Sequence, residues 1–198
     1  MLSERIDVSS LVRVSMSLLF PFAFMVAMVS LFYSKELMGL LYVNHIDQSA
    51  QVFSVLMFSF VSISIMFIFG SLLTANGSMR MLNRILIFAL VINVVLNLIL
   101  IPPYKALGAT WAGIITQGFV AISEMIIAIR IIPVKMGRKF IPALMSFGIL
   151  IACFAYLARY VPVNWMVQII MIGLVGSLLT LVLRLIDFKT IRSLYTDE

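Results

Sequence analysis

The sequence predicts an all-α polytopic membrane protein, a bundle of six transmembrane helices. Three observations predict it. Hydrophobic residues make up 63% of the 198 positions and charged residues only 11%, with a mean hydropathy of +1.17. The apolar residues fall into runs long enough to cross the hydrocarbon core, which takes about 20 residues of helix. The basic residues gather at alternate breaks between those runs. A soluble domain averages roughly 45–50% apolar and 25% charged residues, and a chain this size cannot hide so much apolar surface from water. Lipid is the solvent that fits, and in lipid every backbone amide must be satisfied within the protein.

The spans expected are residues 11–33, 50–73, 81–101, 107–132, 140–160 and 163–186, between an amino-terminal segment 1–10 and a tail 187–198. The first contains Pro21, expected to kink it, because proline removes a backbone hydrogen bond and clashes with the preceding turn. Asn44 and Asp47 mark the first loop, and Asn76-Gly77 is a turn signal closing the second span. Pro102-Pro103 is expected to end the third, since proline cannot continue a helix and biases its predecessor to extended geometry. Pro133 and Gly137 punctuate the fourth loop. Pro142 lies near the start of the fifth span, and Pro162 and Asn164 separate the last two. Barrel strands are excluded: they alternate apolar and polar residues over about ten positions, whereas these runs are apolar on all sides for twice that length.

The formal charge is +6 and the pI about 9.8. The basic residues sit at span ends without interleaved aromatics, so orientation is the reading rather than nucleic-acid binding. Six spans put Arg5, Arg13, Arg80, Arg84, Arg130, Lys135, Arg138, Lys139, Arg184, Lys189 and Arg192 on one face, and only Lys35, Lys105 and Arg159 on the other: 11 against 3. The positive-inside rule makes the richer face cytoplasmic, with both termini there. Tyr33, Tyr42, Tyr104, Tyr160 and Trp165 fall near the opposite ends, as an aromatic belt at the outer interface would. Cys153 is the single cysteine, so no intrachain disulfide forms, and its place in an apolar run suggests a buried structural thiol. No cleavable signal peptide is expected, the first run being too long and lacking an A-x-A site.

Polar residues inside the spans are the candidates for function. Glu124 is the acid well within a span; intramembrane ionisable groups mark ion or substrate paths, the alternatives being a structural pair with Arg84 or Arg130, or solvation at the interface. Arg13, Ser17 and Pro21 share a face at i, i+4, i+8. Arg13 could meet a phosphate bidentately or snorkel to headgroups. Ser59 and Ser62 share a face of the second span, suited to a wet path or to close packing. Asn93, Asn97 and Gln117 could bond between helices or bind sugars. Ala109 with Gly113, and Gly173 with Ser177, fit small-xxx-small packing. His45 beside Asp47 has no second imidazole or thiol to complete a metal site, and the basic fourth loop could hold anionic headgroups. The chain has no H-E-x-x-H, P-loop or G-x-S-x-G motif, so neither an enzyme nor a cofactor is expected. Any transport would run on an ion gradient, the membrane potential or the substrate gradient.

The stretch Leu72-Leu73-Thr74-Ala75-Asn76-Gly77, then Asn93, Asn97 and Leu100-Ile101-Pro102-Pro103-Tyr104, then Leu107-Gly108-Ala109 with Ala112, resembles the carboxyl-terminal half of polysaccharide-biosynthesis flippases. These belong to the multidrug/oligosaccharidyl-lipid/polysaccharide exporter superfamily. Gly39-Leu40-Leu41-Tyr42 followed by Ala50 also resembles that family's outer loop. A glycine common in the family just after the L-I-P turn is Lys105 here, and Trp111 is bulky for its helix. The resemblance implies one lobe of a two-lobed, MATE-like transporter in a bacterial inner membrane. It implies partnership with a second six-helix lobe, and passage of a lipid-linked oligosaccharide, such as an O-antigen repeat unit, by alternating access. It also implies a cavity lined largely by the first two helices of the lobe. A cation-coupled drug exporter using Glu124, and a non-transporting scaffold or truncated remnant, are the rival expectations.

Overall fold

In a computed structural model of the chain, residues 8–134, 137, 140–183 and 185 are described. They form six helical elements: α1 Val8–Leu41, α2 Ile46–Met57, α3 Ser59–Ala75, α4 Met79–Ile131, α5 Phe140–Ala158 and α6 Trp165–Val182. There is no strand among the described residues. Phe58 keeps helical dihedrals between α2 and α3, so these two act as one rod. Five helices, counting that rod once, are long and apolar enough to cross a membrane. Side chains such as Phe67, Leu98 and Leu174 point outward, as they do when the surroundings are lipid.

The helices outrun the expected spans at several ends. α1 runs on to Leu41, and its non-helical residue is Tyr33 (φ −121°, ψ 19°). The expected kink at Pro21 is thus displaced: Pro21 lies buried within α1, while the dihedral break falls at the outer end. The turn after α3 forms where Asn76-Gly77 predicts it. Gly77 takes φ +75°, its amide donates to Thr74 O at 2.9 Å, and Ser78 N donates to Leu73 O at 2.9 Å. This is the Schellman closure that a left-handed residue after a helix permits. At the start of α6, Asn164 Oδ1 accepts from Met166 N at 2.9 Å, an N-cap that satisfies a donor with no partner inside the helix.

The largest departure is α4. Helical geometry continues through Pro102 and Pro103 and breaks at Lys105 (φ 50°, ψ −126°). A straight helix of 53 residues would measure roughly 80 Å. α4 instead folds back on itself. Asn93 Nδ2 donates to Thr116 Oγ1 at 3.2 Å across 23 residues, a separation that would span about 35 Å in a straight helix. The prolines therefore do not end the helix where expected; the reversal falls just beyond them, in the 105–108 turn.

α1 lies at the centre. Its backbone approaches α2 and α3 on one side and α5 and α6 on the other, and α4 packs on α3 and α2. Phe69, Leu73, Phe147, Ile151 and Ile172, all fully buried, anchor the core. Glycine governs one of these contacts: a Cβ at Gly176 would collide with Met25 of α1. The small residues expected to pack do otherwise, since nothing would crowd a Cβ at Gly113 or Gly173, and Ala109 and Ser177 are exposed. Trp111 is exposed too, so its bulk meets the surroundings rather than a neighbouring helix.

The basic and aromatic residues sort by end. A Cβ at Gly137 would lie 3.7 Å from an Arg13 guanidinium nitrogen, and Arg84 and Arg130 border one cleft, so these three share an end of the bundle. At the other end, Lys35 Nζ pairs with Asp47 at 2.7 Å, Phe32 meets Tyr156 with ring centroids 6.2 Å apart, and Tyr42 and Ala106 border a common cleft. Tyr42, Tyr104 and Tyr160 are exposed, as an interfacial belt requires. Tyr33 is not part of that surface: it is 1% exposed. Arg5, Lys135, Arg138, Lys139, Arg184, Lys189 and Arg192 lie outside the described residues. Cys153 is exposed, in contrast to the buried thiol its apolar run suggests; an apolar stretch in lipid has an outer face as apolar as its inner one.

Candidate functional site

The polar groups held inside the helices fall into two places. The first is the inner face of the α4 hairpin. Asn97 Nδ2 donates to Asn93 Oδ1 at 2.9 Å, Asn93 Nδ2 donates to Thr116 Oγ1 at 3.2 Å, and Thr116 Oγ1 donates to Ala112 O at 2.7 Å. The i, i+4 spacing of the asparagines stacks them on one face, and the reversal beyond Pro103 brings Thr116 opposite. The result is a relay of three bonds, of which the one from Asn93 to Thr116 ties the arms of the hairpin. Thr116 was not among the sequence candidates. Its signal was present as the polar neighbour of Gln117, but only the fold-back distinguishes which of the two faces Asn93. Asn97 also borders an apolar cleft of about 330 Å³ beside Pro102.

The second place is the contact between α4 and α3. Glu124 is 4% exposed, and its Oε2 is buried without a hydrogen-bond partner. It fits because α3 presents Gly70 there: a Cβ at Gly70 would lie 3.1 Å from Glu124 Oε2. Gln117 stands seven residues earlier, on the same face of α4, and its Oε1 is also buried and unpartnered. Among the described residues Glu124 forms no ion pair with Arg84 or Arg130, so the structural-pair reading does not hold. Nor does solvation at the interface hold, given its burial. A carboxyl and an amide oxygen thus line one helix face inside apolar packing, each with unused capacity to bind a proton, a cation or a hydroxyl.

The other candidates stand apart from these. Ser17 is 1% exposed, and its hydroxyl donates to Arg13 O at 2.7 Å, so it is spent on its own helix. Arg13 Nε is buried without a partner, with its guanidinium beside Gly137 of the α4–α5 connection. Ser59 is buried at the α2–α3 junction and Ser62 half-buried one turn on. Ser54 and Ser64 bond back to Gln51 O and Phe60 O, the local pattern serine adopts in a helix. The polar candidates of α4 thus come together in two places, while Ser17 is turned to backbone bonding on its own helix. No group of three or more histidine, cysteine or acidic residues that could hold a metal occurs among the described residues. No protein-family model matches the chain, and neither curated proteins nor solved structures show a significant match to it.

Proposed function

We propose that the chain is one lobe of a flippase that carries a lipid-linked oligosaccharide across a bacterial inner membrane by alternating access. The observation that carries this reading is the reversal after Leu100-Ile101-Pro102-Pro103-Tyr104. The flippase-like motif has a glycine just beyond the L-I-P turn, and here the residue at that place, Lys105, takes φ 50°, a conformation that favours glycine. The local geometry supports the resemblance at the point where the amino acid departs from it. The hairpin also supports two crossings within α4, which with the other four apolar helices gives six, the complement of one lobe. The 11 basic residues that the sequence assigns to one face, against 3 on the other, support a cytoplasmic placement of both termini.

A second lobe completes the transport path, and the lipid-borne sugars pass between the two lobes while the tail stays in the bilayer. Complementation tests this. Expression with its partner lobe in a strain lacking its own flippase restores surface polysaccharide. A failure to restore it with every partner lobe supplied, despite correct membrane insertion, overturns the reading.

One observation favours a second reading, a cation-coupled exporter lobe: the unpartnered Oε2 of Glu124. Under that reading Glu124 takes up and releases a proton or cation in each cycle. Glu124→Gln then abolishes coupled transport while the protein still inserts; unchanged transport removes the carboxylate from the mechanism.

A further inference from the structure

We propose that the groove between the two arms of α4 is a binding site for an anionic phospholipid. The groove has a volume of about 440 Å³ and is bordered by Arg84 and Arg130 together with Phe88, Phe119, Ile127 and Ser123. Its size falls in the range of ligand-holding clefts, roughly 300–1,000 Å³. Arg84 lies five residues into the first arm, and Arg130 is in the last turn of the second. Because the arms run antiparallel, both guanidinium groups come to the same end of the groove. Phe88, Phe119 and Ile127 lie deeper toward the membrane interior. This is the layout of a phospholipid, with a phosphate at the interface and an acyl chain running inward.

Charge decides between occupants. Neither arginine forms an ion pair among the described residues. Glu124, the acid on the same arm, faces Gly70 of α3 instead. Two uncompensated guanidiniums attract an anion and oppose a second basic surface, and arginine pairs with phosphate oxygens bidentately. The apolar wall opens sideways, where α4 has only α2 and α3 as backbone neighbours, so the medium reaching it is lipid. Basic pockets between transmembrane helices bind anionic headgroups in this way. The site depends on membrane embedding alone and is independent of what the chain transports.

Native mass spectrometry of the full chain, purified in mild detergent with equal amounts of phosphatidylglycerol and phosphatidylethanolamine, tests the proposal. The wild type retains phosphatidylglycerol in preference. Replacing both arginines, Arg84→Gln with Arg130→Gln, lowers the retained phosphatidylglycerol on the order of tenfold. Both side chains are exposed, so the variant keeps the fold, which an unchanged gel-filtration profile verifies. Arg80→Gln, at the same end but off the groove, leaves retention unchanged. Added phosphatidylglycerol raises the melting temperature of the wild type and not of the double variant. Equal retention by wild type and double variant, an equal loss in Arg80→Gln, or no preference for phosphatidylglycerol overturns the proposal.

Discussion

Gly108 is folded against Leu100 so closely that a Cβ at position 108 would collide with the Leu100 carbonyl oxygen. The two residues stand on opposite sides of the break at Lys105, and their contact is where one arm of α4 meets the other. Gly108→Ala therefore forces the backbone of the turn apart. Overpacking of this kind costs about 1–3 kcal/mol or more, and the clash here is with backbone, which cannot rotate away. The midpoint of denaturation in mixed detergent micelles falls accordingly, while Gly113→Ala, where nothing lies within 4 Å, raises it slightly, by the advantage of up to about 1 kcal/mol that alanine has over glycine inside a helix.

Lys105→Gly acts in the opposite direction. The wild-type residue is held at φ 50°, ψ −126°, outside the regions open to a side chain bearing a Cβ. Such strain costs of order 1–3 kcal/mol, offset by about 0.5–1 kcal/mol for the greater freedom of glycine in the unfolded chain. The net gain is about 1 kcal/mol in the same denaturation measurement. His45→Gly gives less: at φ 58°, ψ 30° His45 sits in the small left-handed region that histidine tolerates.

Asn93 is the middle of the relay, accepting from Asn97 and donating to Thr116. Asn93→Leu breaks the bond between the arms together with the Asn97 bond within its own arm, and lowers stability by roughly 0.6 kcal/mol, the average for an interhelical bond in a membrane. Thr116→Val removes the same bond between the arms, along with the local bond to Ala112 O, and has about the same effect. A double-mutant cycle between positions 93 and 116 yields a coupling energy of about 0.6 kcal/mol. A coupling of zero shows that the arms are held by packing alone.

Glu124→Met replaces the unpartnered carboxyl with an apolar side chain of similar length. Leaving a buried polar group unsatisfied costs about 1–3 kcal/mol, so the substitution raises stability by an amount of that order. Under the coupled-exporter reading the same variant is inactive, which separates a functional carboxyl from a merely tolerated one: a gain in both stability and transport rules out a coupling role.

Cys153 offers a single chemical probe of the surroundings. It is exposed on α5, more than one turn inside the end of a strongly apolar helix. A charged, water-soluble reagent does not enter hydrocarbon. In sealed vesicles a water-soluble maleimide leaves Cys153 unmodified, and unfolding in sodium dodecyl sulfate makes it reactive. Rapid labelling in intact vesicles places that face of α5 in water.

The membrane class was legible because it rests on sums over long runs, which single residues barely alter. So was the Asn76-Gly77 turn, where local chemistry fixes the backbone. The break after Pro102-Pro103 was legible in kind, but its position was set by the 105–108 turn. That turn depends on the approach of Gly108 to Leu100, a contact invisible before the chain folds back. The candidate site was legible by composition and not by direction. Glu124, Gln117, Asn93 and Asn97 stand out as polar residues in apolar runs, but in such runs no apolar stripe marks the inner face. Cys153 was assigned to the inside, and Gly173 to a contact that Gly176 makes, for that reason. Tyr33 went the other way: aromatics near span ends read as interfacial, and the extension of α1 to Leu41 drew it inward.

The central position of α1 has a mechanical consequence. The backbones of α5 and α6 come near only α1 and each other, and α4 comes near only α2 and α3. The backbones of the two flanks therefore meet through one helix rather than directly. A side chain added at Gly176, where α6 seats Met25 of α1, would push α6 off that shared helix and leave the α2, α3 and α4 flank in place.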